Sequence, residues 1–263
     1  MNIKGCIFDL GGTIVDKYSR TPFISLKKCF QRRNILLDDK LIFKDMGMHK
    51  LDHIKHILKD PYIRVDWKNK FGKYPEKGVD ELNIFKDFNE IQRLNTNDYL
   101  DIIPETKRTI QYLHNRGIKI GSTTGFNKEI TDLVRDKLNE NKIYIESFVS
   151  STCLDKPSRP EPFMIQENMK RLNLENPKRI LKIDDTQVGI EEGKNAGCIT
   201  VGVYRWSTYM KICDVENEYR IPRNELDLKI AESKHTLSLA NPDFLIRSLD
   251  ELPGIIRFLD GYK

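Results

Sequence analysis

Apolar runs of strand length, each ending in a polar or glycine-rich turn, alternate along much of the chain with stretches of helical spacing. The first run, Lys4–Asp9, closes on Gly11-Gly12 and predicts a buried strand entering a loop. The next comes only at Ile118–Thr123. Between them, apolar residues recur at helical spacing over Phe23–Arg33, Met48–Leu58 and Val79–Asn95, with no strand pattern. Consecutive strands of one sheet are usually neighbours in the chain. Residues 17–98 therefore predict an inserted helical module, within a core made of residues 1–16 and 99–263. Later strands are expected at Phe148-Val149, Arg179–Asp184, Cys198–Val203 and Asp243–Ile246. Helices are expected at Lys128–Glu140, Pro162–Leu172, Val188–Ala196 and Leu249–Leu259. This alternation predicts an α/β fold, a Rossmann-like doubly wound parallel sheet carrying an all-helical insert. Ligands of such sheets gather at the carboxyl ends of strands. Three polar clusters end strands here: Asp9, Ser122-Thr123-Thr124 and Asp184-Asp185. Residues 206–240 are polar and read as irregular.

Composition then removes several classes. Of 263 residues, 39% are hydrophobic and 32% charged, so the chain reads as neither membrane-spanning nor disordered. No apolar run approaches the ~18 residues that a spanning helix needs. The net charge of +5 is spread over short pairs such as Lys27-Lys28 and Arg32-Arg33. Nucleic acid would call for a dense basic stripe, whereas a diffuse positive surface suits a small anionic substrate. The five cysteines form no CxxC, and the N-terminus has no signal-peptide layout. Both features point to a cytoplasmic protein with reduced thiols.

The strand ends carry the candidate chemistry. In Phe8-Asp9-Leu10-Gly11-Gly12-Thr13, glycines after a carboxylate let backbone amides close around a phosphoryl group while the carboxylate attacks phosphorus. Alone, the same pattern also describes a turn capped by an aspartate. Three further clusters follow in order. Residues 118–125, IKIGSTTG, offer the hydroxyl of Thr123 or Thr124, followed by Gly125. Arg159-Pro-Glu-Pro-Phe163 offers a cation, with Lys156-Pro157 as a competing match. Ile183-Asp-Asp-Thr186 offers a carboxylate pair for a hard cation such as Mg²⁺. Together these clusters resemble the four motifs of the haloacid dehalogenase superfamily. The resemblance implies Asp9 as nucleophile, with Gly11, Thr123 or Thr124, Gly125 and Arg159 around the phosphate. It also implies Mg²⁺ on Asp9, the Gly11 carbonyl and Asp185, with Asp184 as the weaker candidate. Two positions depart from the superfamily pattern. Gly11 replaces the usual second Asp, a general acid, and Gly189 stands where a later Asp is often found.

A leaving group that needs no such acid is a carbon attached to an electron sink. A lysine can condense with a neighbouring aldehyde, and the iminium accepts the electrons as a P–C bond breaks. Met46-Gly-Met-His-Lys50-Leu-Asp-His53, in the helical insert, resembles the cap-domain segment of the phosphonoacetaldehyde hydrolase (phosphonatase) family. The resemblance extends over nearly the whole chain, including the small residue at Gly11, GIKIGSTTG, the RPxP-type segment and KNAG. It implies a Schiff base on Lys50, with His53 beside it and Met46 on the cap side of the site. It further implies a small phosphonate substrate and a homodimer formed through the cap. Lys50, Ile54 and Ile57 fall at i, i+4 and i+7, which puts Lys50 beside an apolar stripe where burial favours the neutral amine. A solvated helix lysine is the competing reading. His49 and His53 have a zinc-compatible spacing, but no HExxH glutamate accompanies them. Gly11 where alanine is typical, Phe126 where tyrosine can stand, and the lack of a cysteine within 16–22 set this chain apart from the family. They keep open an alternative, another phosphonate or a phosphate monoester as substrate. A non-catalytic phosphate-ligand binding protein is a third reading, disfavoured by the intact Asp9, Arg159 and Asp185 set.

Overall fold

The run Gly5–Phe8 forms β1, and all four of its residues are buried. Helices cover both faces of the sheet, which is why the run reads as continuously apolar instead of alternating. The computed structural model describes residues 2–213 and 218–261. Among them are five more strands: β2 (Lys119–Thr124), β3 (Ser147–Ser150), β4 (Ile180–Asp184), β5 (Ile199–Val203) and β6 (Phe244–Ile246). All pair in parallel, in the order β3-β2-β1-β4-β5-β6. The order reverses between β1 and β4, and a crevice opens at such a switch point. Phe8 is in register with Ser122 on one side and Ile183 on the other. Asp9, Thr123 and Asp184 thus come next at one level.

Among the described residues, five of the α-helices between β1 and β2 make up the insert: α1 (Arg20–Gln31), α2 (Asp39–Lys44), α3 (Lys50–Lys59), α4 (Pro61–Phe71) and α5 (Asp80–Tyr99). They bury an apolar cluster of their own, including Phe23, Phe30, Ile54, Ile57, Trp67 and Phe88. These helices are the cap inserted into the α/β core. The chain enters the cap through Asp16, Tyr18 and Ser19, all with positive φ. The Asp16 carboxylate accepts from the backbone N–H of Arg20 (2.9 Å) and Thr21 (3.1 Å), anchoring the start of α1. Entry and exit are tied together, because Val15 bridges Ile102 and Arg20 pairs with Asp101 at 3.0 Å.

Among the described residues the further α-helices include α6 (Thr106–Asn115), α7 (Lys128–Glu140), α8 (Phe163–Leu172), α9 (Gln187–Asn195), α10 (Arg223–Ser238) and α11 (Leu252–Asp260). Alternation along the strands divides the core. Phe8, Leu181 and Ile183 join one apolar cluster, whereas Ile7, Ile165 and Ile180 join another on the opposite face. The stretch 206–240, read as irregular, contains α10. Its buried stripe is only Ile230, Ser233 and Leu237, too thin to stand out against polar surroundings. Of that stretch, residues 214–217 lie outside the described residues, as do 262–263 of the segment 99–263. Helix α4 also escaped the sequence reading. It buries just Ile63 and Trp67 and is started by Asp60, whose carboxylate accepts from Tyr62 N–H at 2.9 Å. Among the described residues, no helix is long and apolar enough to cross a membrane.

Candidate active site

Asp9 follows β1 at the crevice and is buried. Its backbone N–H donates to the Ile183 carbonyl at 2.8 Å, and its Oδ1 lies 2.8 Å from Arg159 Nη1. Burial pushes its carboxyl up to about 6, against the opposing pull of Arg159. Asp9, Gly11, Thr124, Gly125 and Arg159 line one small cavity of about 50 Å³. Lys156, the competing cation, is exposed and rests its ammonium over the Phe163 ring. Gly12 is held at φ 78, and a side chain there would meet Asp185 Oδ2 at 2.4 Å. Gly11 is different. A methyl group would meet Phe126 at 3.4 Å and Ser19 Oγ at 3.5 Å, so space alone does not dictate glycine.

The two threonines separate. Thr123 shares its face of the sheet with Lys182 and Asp184, and its hydroxyl is fully occupied. It accepts from Arg159 Nη2 (2.7 Å) and Lys182 Nζ (2.7 Å) and donates to Glu192 Oε2 (3.0 Å). A hydroxyl has one proton and two lone pairs, so none is left for a phosphate. Thr123 as a phosphate ligand is therefore corrected, and Thr124 is the threonine that faces the cavity.

The cap contributes Met46, Gly47, Met48 and Lys50 to the same cavity. Lys50 is the first residue of α3 and is 8% exposed. Its Nζ donates to the Met48 carbonyl at 3.4 Å, a long bond that holds the amine weakly. Burial lowers its pKa to about 8, although Asp45 and Asp9 favour the charge. His53 is not among the residues lining the cavity. It lies fully buried one turn along α3, and burial, then Lys50, hold its pKa well below the usual value. Neither ring nitrogen has a hydrogen-bond partner; the Ile42 backbone faces the ring without reaching bonding geometry. Spacing puts His53 beside Lys50 on α3, close enough for the Lys50 charge to act on the ring, but no hydrogen bond joins the two side chains.

Asp9, Asp184 and Asp185 offer carboxylate oxygens within 4.8 Å of one another. Burial, followed by the charges of Asp9 and Asp184, pushes the Asp185 carboxyl well above its ordinary range. Three buried carboxyls in mutual repulsion, all hard oxygen donors, fit a divalent cation such as Mg²⁺. Asp185 is aimed by Thr13, whose hydroxyl donates to Oδ1 at 3.3 Å, and by Thr208 N–H, which donates to Oδ2 at 3.1 Å. Asp184 is more heavily engaged. Thr186 donates to its Oδ1 through both N–H (2.9 Å) and hydroxyl (2.7 Å), and Lys182 lies 2.9 Å from Oδ2. Burial alone would raise Asp184, but Lys182 and Arg159 outweigh it and hold the carboxyl low. Gly189 makes room for this group, since a Cβ there would lie 1.9 Å from Asp184 Oδ2.

Two site-adjacent residues escaped the sequence reading: Lys182 and Glu192, both fully buried. The available signal was a lysine inside the otherwise apolar strand Ile-Leu-Lys-Ile. A charge there is rarely buried without a partner.

Fold and site together define a haloacid dehalogenase-like hydrolase, and the family model of that description matches residues 3–197. Within that class the similarity narrows. The phosphonoacetaldehyde hydrolase of Bacteroides fragilis is 32% identical over 260 residues, covering 98% of this chain and 97% of that protein. That of Latilactobacillus sakei is also 32% identical, covering 97% of this chain and 95% of its own. A phosphonoacetaldehyde hydrolase-like protein from Oleispira antarctica has the same fold at a TM-score of 0.93 and 25% identity, covering 99% of this chain and 94% of its own. The chain belongs to the phosphonoacetaldehyde hydrolase family of the haloacid dehalogenase superfamily.

Proposed function

We propose that this hydrolase cleaves the P–C bond of phosphonoacetaldehyde to give acetaldehyde and phosphate. One observation carries the reading: Lys50, a buried amine whose pKa is lowered to about 8, lines the same cavity as Asp9. The absence of a carboxylic acid at Gly11 supports it, because a carbon leaving group stabilised by an iminium needs no proton from that position.

In this reading Lys50 condenses with the aldehyde, releasing water and forming an imine that is protonated to an iminium. Asp9 attacks phosphorus, and the P–C bonding pair moves into the iminium to give an enamine. The enamine is protonated at carbon, and water releases acetaldehyde and regenerates the Lys50 amine. A second water hydrolyses the aspartyl phosphate. Thr124, Gly125 and Arg159 bind the phosphoryl oxygens, and Arg159 offsets their charge. Asp9, the Gly11 carbonyl and Asp185 would hold Mg²⁺, which when bound supplies positive charge to the phosphoryl group. The cap covers the cavity and excludes bulk water. The cytoplasmic setting, the domain boundaries at 16/17 and 98/99, and the homodimer through the cap belong to the same proposal. Exposed Tyr62 and Val65 on α4 favour such an interface.

Borohydride trapping tests the mechanism. With phosphonoacetaldehyde present, a reduced adduct is expected on Lys50, and Lys50→Ala is expected to abolish both adduct and phosphate release. Phosphate release that survives Lys50→Ala, with no adduct in wild type, would overturn the imine and favour a phosphate monoester substrate.

A further inference from the structure

The Arg159 guanidinium has three sides, and two of them are held from the core. Its Nε donates to Glu192 Oε2 at 2.8 Å, and its Nη2 donates to the Thr123 carbonyl (2.8 Å) and hydroxyl (2.7 Å). Only Nη1 is left to face Asp9 Oδ1, at 2.8 Å. Glu192 sits on α9 and carries its charge to a fully buried point. Lys182, from β4, balances it. Its Nζ lies 3.2 Å from the same Oε2, 2.7 Å from the Thr123 hydroxyl and 2.9 Å from Asp184 Oδ2. The backbone accommodates this pair. At Gly193 a Cβ would lie 2.8 Å from Lys182 Cγ, so α9 packs close over the lysine stem only with glycine there.

A buried ion pair is a costly way to fill a core, and apolar residues of equal volume often serve stability as well or better. What apolar residues cannot do is orient a guanidinium plane. We propose that Glu192 and Lys182 are positioning residues that fix Arg159 in the one orientation that turns Nη1 toward Asp9. This rests on the reading that Arg159 serves a phosphoryl group attacked by Asp9.

The test compares wild type with Glu192→Gln and with the charge-balanced double variant Lys182→Met/Glu192→Gln, measuring thermal unfolding, kcat and KM by phosphate release. The double variant also removes the Lys182 partner of Asp184, so it is expected to fold but to melt below wild type. Both variants are expected to lose about 100-fold in kcat, with a smaller change in KM, because a misaimed group chiefly affects the transition state. A folded double variant with kcat within about twofold of wild type would overturn the inference. If the Gln variants do not fold, rescue of Arg159→Ala by guanidinium ion replaces them. The half-saturating guanidinium concentration is expected to rise about tenfold when Glu192→Asp is added, and an unchanged value overturns the proposal. A wild type that releases no phosphate from any phosphonate or phosphate ester overturns the functional reading, and this inference with it.

Discussion

Lys50 and Asp9 are buried in one cavity, and burial moves their ionisation toward each other. The Lys50 ammonium is lowered to about 8 and the Asp9 carboxyl raised to about 6. An imine requires the neutral amine, whose fraction grows as pH rises through the lysine pKa. Attack on phosphorus requires the carboxylate, which is present above the aspartate pKa. The rate of phosphate release at low substrate is therefore expected to climb with pH and level off above about 8. A profile flat between pH 6 and about 9 would count against Lys50 as the amine that reacts. At this scale Asp9, Lys50, Arg159 and Asp185 could be named from the sequence because the segments that hold them resemble the family's motifs, and the cavity brings Asp9, Lys50 and Arg159 together. The choice between Thr123 and Thr124 was not legible. It depends on which sheet face each hydroxyl meets, and on Lys182 and Glu192, which come from distant parts of the chain.

At the scale of elements, α9 joins the carboxylate cluster to the fold. Its first turn is capped by Thr186, whose hydroxyl accepts from Gly189 N–H at 3.2 Å and donates to Asp184 Oδ1 at 2.7 Å. Thr186→Ala removes both bonds and is expected to cost about 1 kcal/mol from the cap alone. For a chain of this size that is a fall in melting temperature of about 2–4 °C, with Thr186→Ser restoring most of it. A melting temperature unchanged by Thr186→Ala would mean that the cap bonds are replaced by solvent. Helices with broad apolar stripes, such as α1, α3 and α5, were readable from spacing. Helices α4 and α10 bury too few apolar side chains for the pattern to emerge, and packing sets them instead.

At the scale of the molecule, the crossover order brings β1 and β4 side by side, so that carboxyls 175 and 176 positions apart in the chain, Asp184 and Asp185 against Asp9, share one buried cluster. Among the described residues Asp185 forms no ion pair, whereas Asp9 pairs with Arg159 and Asp184 with Lys182. Binding of Mg²⁺ to the folded state alone is expected to raise the melting temperature, with a gain of about 2.7 kcal/mol at a hundredfold excess over Kd. Chelation by EDTA should reverse it and stop phosphate release. Asp185→Asn is expected to raise the metal-free melting temperature by relieving repulsion, while abolishing the Mg²⁺ response. Calorimetry with and without the ion reads both effects, and an undiminished response in Asp185→Asn would remove Asp185 from the ligand set.

By itself the sequence determined the α/β architecture, the helical insert and the chemical types at the strand ends. Periodicity and local turn chemistry are properties of neighbouring residues, and they survive in one dimension. Only the tertiary structure decided where those groups point. It gave Thr124 rather than Thr123 to the cavity, left His53 buried off the cavity lining and set Lys182 and Glu192 behind Arg159. Each of these is fixed by which side chains meet across layers, and those partners come together only when the sheet and its helices pack.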